Sequence, residues 1–460
     1  MRAREVRPHK LYHGQFGIGR HRLWKNPKFG LLLALVMAAS MWFYVQRILV
    51  PYQIADATVH GRPRGILSDL YPRWVGAREL LVNHRDPYSA EVTREIQIGY
   101  YGRLLDPNRP NDPIDEQRFA YPVFVVFLLA PAVLIPFALV KVISAWGFAF
   151  LTVLSIFWWL RALHWKPRCL VIVIFVVLTI GNFGIVFGIK LQQLSLLVGG
   201  LIAASAALLA GGHLLIAGVV LALATIKPQL VVPVAGWLLL WALSDWKQRQ
   251  RFVWGFMLTE ALLIGAGEFV LPGWIGRFVD GVVAYRRYTG GGSPLDSLIT
   301  RTAGPLFAIA LALATVAVGW RLRRVPSSSP AFPLLLAFVL AVTTVIVPMV
   351  APYNHLLLLP AVLLIVRAWK DLWASSLACH VVCALASAAI LWPWVASIGL
   401  SVVSLVVSPA VAQRAWTMPL WTSLAIPITI LAVLAFQLSA ILRDDPERKT
   451  MMPAANQPRT

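Results

Sequence analysis

Residues 30–50 read GLLLALVMAASMWFYVQRILV, a stretch of 21 residues with a single charged side chain, Arg47. An α-helix needs about 20 mainly apolar residues to cross the hydrocarbon core of a bilayer. The next stretch, residues 51–120, has the opposite character, because it holds ten of the 20 acidic residues of the chain and nine arginines. Most of the chain after it is apolar again. The sequence therefore predicts one apolar span, a long polar loop and a run of further spans.

The overall composition indicates the same class of protein. Apolar residues make up 58% of the chain and charged residues 13%, against about 45–50% and about 25% in soluble domains. We therefore predict an all-α polytopic integral membrane protein with about 13 spans, in one membrane-embedded domain over residues 30–442. The predicted spans are 30–50, 122–139, 142–160, 169–188, 191–210, 213–226, 229–244, 252–271, 305–320, 331–350, 355–370, 374–395 and 420–442. The apolar residues 396–412 form either a further span or an interfacial segment.

The net charge of +21 is explained by the topology of a membrane protein rather than by nucleic-acid binding. Basic residues concentrate in short segments between the spans, as cytoplasmic loops do. This pattern predicts a cytoplasmic arm over residues 1–29, which with the first span acts as a signal-anchor, and a cytoplasmic tail over 443–460. It also predicts that the loops 51–120 and 272–305 lie outside the cytoplasmic membrane. The basic segments are 1–28, 161–168, 247–251, 321–324, 367–370 and the residues after 443.

One pair of predicted spans conflicts with this topology. If 122–139 and 142–160 both crossed the membrane, the basic segment 161–168 would lie outside. Pro131 and Pro136 interrupt the first of the two, and proline breaks a helix interior. We therefore expect a short or re-entrant segment there and one complete span after it.

The first outside loop contains a helix start beside a carboxylate. Apolar spacing predicts an amphipathic helix over 70–81 that lies on the membrane surface. A second amphipathic helix is predicted over 91–105, after the turn sequence Asp86-Pro87-Tyr88. Ser68 and Asp69 stand at the start of the first helix. Asp69 is therefore either an N-cap or a carboxylate that takes a proton from a substrate hydroxyl.

Several cations are candidates for binding an anion near the outer surface. Lys227 stands between long apolar runs, where a lysine either anchors a span end or binds a negatively charged ligand. Arg286 and Arg287 precede the glycines 290–292, which favour either a mobile gate over a site or a simple linker. Cys379, His380 and Cys383 share a helical face, but without further ligands they are more typical of apolar packing than of a metal site.

The order of short motifs resembles glycosyltransferase family 87. These are multi-pass enzymes of the C-type glycosyltransferase fold that use polyprenyl-phosphate sugars. The motifs are Asp69-Leu70-Tyr71, Asp86-Pro87-Tyr88, Tyr121-Pro122, Ala130-Pro131, Ile135-Pro136, the region 181–193, Thr225-Ile226-Lys227-Pro228 and Ala351-Pro352-Tyr353-Asn354-His355. The chain departs from the family pattern at Val123, at Lys190 before the two glutamines and at Asn354.

This resemblance implies an inverting hexosyltransferase, with mannose as the expected sugar and a glycan or glycolipid as acceptor. It implies that Asp69 is the general base and that cations bind the donor phosphate. The expected phosphate contacts are Lys227, His355, Arg73, Arg286 and Arg287. The expected substrate contacts are Tyr71, Asp86, Tyr88, Tyr121, Gln192, Gln193 and Asn354. The reaction needs no cofactor beyond the lipid-linked donor and requires no metal, and we expect no nucleic-acid partner.

Two other functions remain open at this point. A polymerase or ligase of lipid-linked oligosaccharides also has many spans, although such enzymes usually rely on arginines in a large late loop. A secondary transporter or flippase would place ionisable groups at mid-membrane. Glu260 is the best candidate for such a group in this chain.

Overall fold

The computed structural model describes residues 27–61, 67–289, 292–348 and 351–443. Within these ranges the chain is built from α-helices and short 3-10 or π-helical turns, without a β-strand. The structure confirms an all-α polytopic membrane protein. Nearly all of the predicted basic arm 1–29 and tail 443–460 lies outside the described residues.

The α-helices follow one another with short breaks along the chain. They are α1 (Pro27–Tyr44), α2 (Val50–Val59), α3 (Tyr71–Leu81), α4 (Ala90–Tyr101), α5 (Val125–Leu129), α6 (Phe137–Ala162), α7 (Cys169–Ile180), α8 (Phe183–Leu191), α9 (Leu194–Ala210), α10 (Leu214–Leu223), α11 (Pro228–Leu243), α12 (Trp246–Val270), α13 (Trp274–Thr289), α14 (Pro294–Leu298), α15 (Ala303–Arg321), α16 (Ala331–Ile346), α17 (Leu359–Arg367), α18 (Trp369–Trp373), α19 (Leu377–Val403), α20 (Pro409–Gln413) and α21 (Ala425–Arg443).

Fewer helices are long enough to cross a bilayer than the sequence predicts. Among the described residues, six segments have the length and apolar character of a span, and α7 with α8 makes a seventh if this pair, bent by 57°, crosses as one. The six are Lys28–Val59, Phe137–Ala162, Trp246–Val270, Ala303–Arg321, Leu377–Val403 and Pro409–Arg443. Five shorter apolar helices of 10–17 residues fill most other predicted windows. Those windows are apolar as predicted, but their helices are shorter than the roughly 20 residues of an independent span.

Two boundaries differ from the predicted ones for local reasons. The first helical segment does not end at residue 50 but continues through a π-helical turn, Val45–Leu49, into α2. Of the apolar residues 396–412, those at 396–403 extend α19 and those at 409–412 belong to the candidate span Pro409–Arg443, so they form no separate span.

The proline-containing region before α6 behaves as its sequence predicts. Helix α5 has five residues and leads into a 3-10 turn, Ala130–Ala132, whereas α6 has 26 residues. Proline removes a helical hydrogen-bond donor and clashes with the preceding turn, so the helix stops there. Only α6 is therefore long enough to cross.

Contacts bring the predicted cytoplasmic segments together in pairs. Arg367 donates a hydrogen bond of 2.7 Å to the carbonyl of Leu163. Arg249 is buried and donates to the carbonyls of Trp241 and Arg323 at 2.8 and 3.3 Å. Segment 161–168 thus meets 367–370, and 247–251 meets 321–324, as expected of loops on one face.

Both predicted helices of the first loop are present, but α3 is used differently from the prediction. Its residues are buried on most sides, including Val75, Ala77 and Glu79, so it does not lie as an amphipathic helix on a surface. Leu70 is its N-cap residue and no side chain caps it. The Asp69 carboxylate is therefore not the helix cap.

The second loop, 272–305, also contains helices and is more than a simple linker. Residues 274–289 form α13, and Ser293 caps α14 in a reciprocal capping box with Asp296. Of the three adjacent glycines, Gly290 and Gly291 lie outside the described residues, so the gate hypothesis there stays a prediction.

The orientation can be tested by cysteine labelling in a background without the three native cysteines. Asn108 is exposed in the first loop, and Ser328 is exposed beside the basic segment 321–324. We expect an impermeant thiol reagent to label Asn108→Cys in intact cells, because the positive-inside pattern puts this loop outside. Ser328→Cys should react only after the membrane is opened. The reverse labelling pattern would overturn the topology.

Candidate functional site

A cavity of about 610 Å³ lies where several helix ends meet the loops 51–120 and 272–305. It is lined by Asp69, Arg73, Asp115, Gln117, Arg118, Ala120, Tyr121, Pro122, Gln193, Ile226, Lys227, Pro228, Gln229, Phe278, Val279, Val282, Val283, Tyr285, Arg286, Pro348 and Tyr353. This volume falls in the range of about 300–1,000 Å³ that is usual for ligand pockets. Of the two cavities described below, it is the larger.

Asp69 is fixed at the cavity wall by the end of α8. Its backbone N–H donates a 2.8 Å hydrogen bond to the carbonyl of Leu191. Carbonyls in the last turn of a helix lack partners inside the helix, so the loop supplies one. The carboxylate oxygen Oδ2 accepts a hydrogen bond from Nε2 of Gln193. Main chain and side chain of Asp69 are thus both held by the break between α8 and α9.

Lys227 occupies a break between two apolar helices. Pro228 follows it and disfavours a helical conformation at the preceding residue, so the chain leaves the helix there. The buried Nζ of Lys227 donates to Oε1 of Gln193 at 2.8 Å and to Oγ of Ser195 at 2.7 Å. An ammonium group has three donors. Two of these donors are used, and Lys227 also lines the cavity.

These contacts put Lys227 at the same end of the helix bundle as the loop 51–120. The hypothesis that Lys227 binds an anion at the outer surface requires this arrangement. It fails for a topology in which Lys227 and the loop lie on opposite faces.

A second line of hydrogen bonds leads from Lys227 to the 3-10 turn Pro352–Leu358. Ser195 donates from Oγ to Oδ1 of Asn354 at 2.8 Å. The ring of Tyr353, in the same turn, lines the cavity, with its centroid 5.4 Å from Nζ of Lys227. A cation near an aromatic face is favoured electrostatically. Asn354 thus supports the site without lining it.

Arg73 contributes a second cation to the cavity, although not as an i,i+4 pair with the Asp69 carboxylate. Its guanidinium donates to the backbone carbonyl of Asp69 at 2.9 Å and lies 4.5 Å from the ring centroid of Tyr121. Among the described residues its buried Nε has no hydrogen-bond partner. The arginine is therefore anchored at one end and retains donor capacity.

The cavity holds two carboxyl groups whose proton affinity is increased. Burial raises the pKa of Asp69, while Arg73, Lys227 and the hydrogen bond from Gln193 oppose the rise. Burial likewise raises the pKa of Asp115, which accepts hydrogen bonds from the backbone and side chain of Gln117 at 2.9 and 2.7 Å. A carboxylate with a raised pKa is a stronger base, which suits proton abstraction.

One wall of the cavity is apolar and comes from α13. Phe278, Val279, Val282 and Val283 have the spacing of one helix face and line the cavity. Arg286, one turn further, also lines it, whereas Arg287 does not, and both arginines are exposed. The site therefore combines charged groups with a surface suited to a hydrocarbon chain.

Several predicted contacts with the substrate or with the donor phosphate lie outside this cavity. Tyr71 packs edge-on against Phe137 with ring centroids 4.9 Å apart. Gln192 ends α8 in a left-handed conformation and bonds to the carbonyls of Ile189 and Lys190. His355 is half-buried in the 3-10 turn but does not line the cavity.

Asp86 and Tyr88 are near the cavity but not in it. Asp86 accepts hydrogen bonds from the backbone N–H of Tyr88 at 2.9 Å and from Arg277 at 2.8 Å. The hydroxyl of Tyr88 donates to the carbonyl of Tyr121 at 2.6 Å. These two residues thus join the first loop to α13.

Sequence reasoning did not select Asp115, Ser195, Tyr285, Tyr353 or the apolar face of α13. Both tyrosines belong to stretches that the sequence analysis singles out. Tyr285 stands next to Arg286 and Arg287, and Tyr353 stands before Asn354. Asp115 gives no distinguishing signal, since it is one of ten acidic residues in the same loop.

The described ranges contain no candidate metal site. No group of three or more His, Cys, Asp or Glu side chains is arranged there to hold a metal ion. His380 packs on the ring of Trp373, while Cys379 and Cys383 are buried.

Comparisons with known proteins leave the geometry as the main guide to function. No family model matches this chain, and no curated protein matches it in sequence. What the site can do chemically is accept a proton at Asp69, stabilise an anion beside Lys227, Arg73 and Arg286, and hold an apolar chain along α13.

A glycine sets the position of the Tyr353 turn. A β-carbon on Gly184 would collide with the carbonyl group of Pro352, 2.7 Å from its carbon. We expect Gly184→Ala to destabilise the purified protein by about 1–3 kcal/mol, the usual effect of overpacking. Gly147→Ala, in α6 with open space around it, should be neutral or stabilising by about 0.5–1 kcal/mol. Equal melting temperatures in detergent for the two variants would contradict this account.

Proposed function

We propose that this protein is an integral-membrane, inverting glycosyltransferase that works at the outer face of the cytoplasmic membrane. Its donor is a polyprenyl-phosphate hexose, with a mannose-like sugar suggested by the family resemblance. Its acceptor is a hydroxyl of a glycan or glycolipid.

The observation that carries this proposal is the meeting of three features in one cavity. The Asp69 carboxylate, the Lys227 ammonium and the apolar face of α13 all line it. Transfer from a lipid phosphate needs a base for the acceptor hydroxyl, cations for the departing phosphate and an apolar path for the lipid. A purely apolar lipid site would need neither the carboxylate nor the cations.

The proposed reaction is a single displacement. The acceptor hydroxyl oxygen attacks the anomeric carbon of the donor while its proton passes to Asp69. The bond between the anomeric carbon and the phosphate oxygen breaks, and its electron pair leaves on the phosphate. Lys227, Arg73 and Arg286 stabilise the negative charge that develops there. Attack opposite the leaving group inverts the anomeric configuration.

The rival functions make different demands on the chain. A transporter would use a mid-membrane group such as Glu260, which lies on α12 and outside the lining of the cavity. A polymerase or ligase would transfer a whole oligosaccharide. Incubation of purified protein with a polyprenyl-phosphate hexose and a synthetic acceptor separates these cases. Transfer of one hexose supports the proposal, and its absence under all donor and acceptor combinations would oppose it.

The role of Lys227 can be tested by removing its charge. Lys227→Met should weaken donor binding and slow transfer, because the phosphate loses a cation and Gln193 loses its donor. Lys190 offers a matched control, since it bonds to Gln46 and does not line the cavity. Lys190→Met should keep wild-type donor affinity in the same binding assay. Wild-type transfer and affinity in Lys227→Met would reduce this lysine to an interfacial anchor.

The base can be tested by an isosteric change. Asp69→Asn keeps the shape but cannot take a proton, so transfer should fall by about 10²–10⁴ with donor binding retained. Asp86→Asn should lose much less, because it breaks only the contacts to Tyr88 and Arg277. Asp106→Asn changes an acidic residue of the same loop outside the cavity and should transfer normally. A dead Asp86→Asn with an active Asp69→Asn would move the base to Asp86.

A further inference from the structure

A second, smaller cavity adjoins the first. It has a volume of about 240 Å³, below the usual range of about 300–1,000 Å³ for a whole ligand. It is lined chiefly by Asp86, Tyr88, Arg118, Phe119, Arg277 and Asp280. Arg118 also lines the larger cavity, so one side chain forms a wall of both.

The charges around this second cavity balance. Two carboxylates face two guanidinium groups, whereas the larger cavity has four cationic side chains against two carboxylates. A balanced set of this kind does not select an anion. It offers acceptors and donors for the hydroxyl groups of a neutral ligand. The half-buried ring of Tyr88 supplies an apolar surface for a sugar ring, and the fully buried ring of Phe119 supports it edge to face with centroids 5.2 Å apart.

Arg277 and Tyr88 in the wall of the second cavity have hydrogen-bond or ion-pair partners, whereas Asp280 has none among the described residues. Arg277 is paired with Asp86 at 2.8 Å, and Tyr88 is bonded through its hydroxyl to the carbonyl of Tyr121 at 2.6 Å. Tyr121 itself lines the larger cavity. Asp280 is exposed and has no hydrogen-bond or ion-pair partner among residues whose positions are described. A carboxylate that faces a polar cavity without a partner is available to a ligand.

We propose that the second cavity is a carbohydrate subsite that holds the sugar unit next to the one attacked. The acceptor is then a neutral glycan of at least two units, passing beside Arg118 from the larger cavity into the smaller one. This inference rests on the proposed transferase function. It adds to it the class of the acceptor and places Asp280 as a specificity-determining residue.

The experiment compares one-unit and two-unit acceptors on the purified full chain. Octyl mannoside and octyl mannobioside are used with a polyprenyl-phosphate mannose donor. The wild type should prefer the two-unit acceptor in kcat/KM by about tenfold, the size expected of one charged hydrogen bond. Asp280→Asn should reduce this preference to less than about threefold while it keeps the rate with octyl mannoside. Asp106→Asn should keep the full preference.

A second variant and a second measurement check the subsite independently. Gly281 lies in the cavity wall, where a β-carbon would be 3.7 Å from Tyr88 and from Phe119. Gly281→Leu puts a larger side chain there and should also abolish the preference. Binding of mannobiose, followed by ligand-observed NMR, reports on the subsite even without turnover. If neither variant changes acceptor preference or mannobiose binding, the subsite is overturned, whereas absence of transfer in the wild type would overturn only the transferase.

Discussion

The hydrogen bonds that join Lys227, Gln193 and Asp69 are the constraint on which this site depends. A lysine buried between apolar helices is stable only when polar partners surround its ammonium group. Gln193 and Ser195 supply them, and Gln193 passes the interaction on to Asp69. The polar loop is thereby fastened to the membrane helices at the residue that faces the cavity. A change in any of the three residues alters the surroundings of the other two.

The same constraint explains why the helices are broken at this end of the bundle. Non-helical backbone at membrane depth is tolerated only where protein buries it or where it lines a polar cavity. The breaks at Gln193 and Lys227 and the turn that carries Tyr353 all reach one cavity. Short apolar helices end there, so their ends deliver side chains to a shared space. The reduced number of full-length spans and the presence of a site are thus two results of one arrangement.

The sequence predicts those residues of the site whose chemical type differs from that of their neighbours in the chain. Lys227 stands out because it interrupts apolar runs, and the prolines at 131 and 136 mark the break before α6. Asp115 could not be selected, because charge alone does not distinguish it from its neighbours in the loop. The role of α13 could not be predicted, because the glycines after it are typical of a linker. Its apolar face also identifies a cavity wall only once the tertiary structure shows what lies opposite it. The hydrogen bonds of Asp69, from Arg73 to its carbonyl and from Gln193 to its carboxylate, could not be predicted, because they join segments far apart in the chain or depend on the local backbone path.

The position of α13 links the two halves of the cavity. The helix supplies the apolar wall, and Arg277 on it pairs with Asp86 of the first loop. An exposed ion pair of this kind is worth only about 0–1 kcal/mol, so it orients the helix more than it stabilises the fold. The packing of Trp274 edge-on against Phe124, with centroids 5.7 Å apart, supplies the stronger attachment at the start of α13. The apolar wall is therefore attached to the rest of the protein by ring packing at its start and by an exposed ion pair at Arg277.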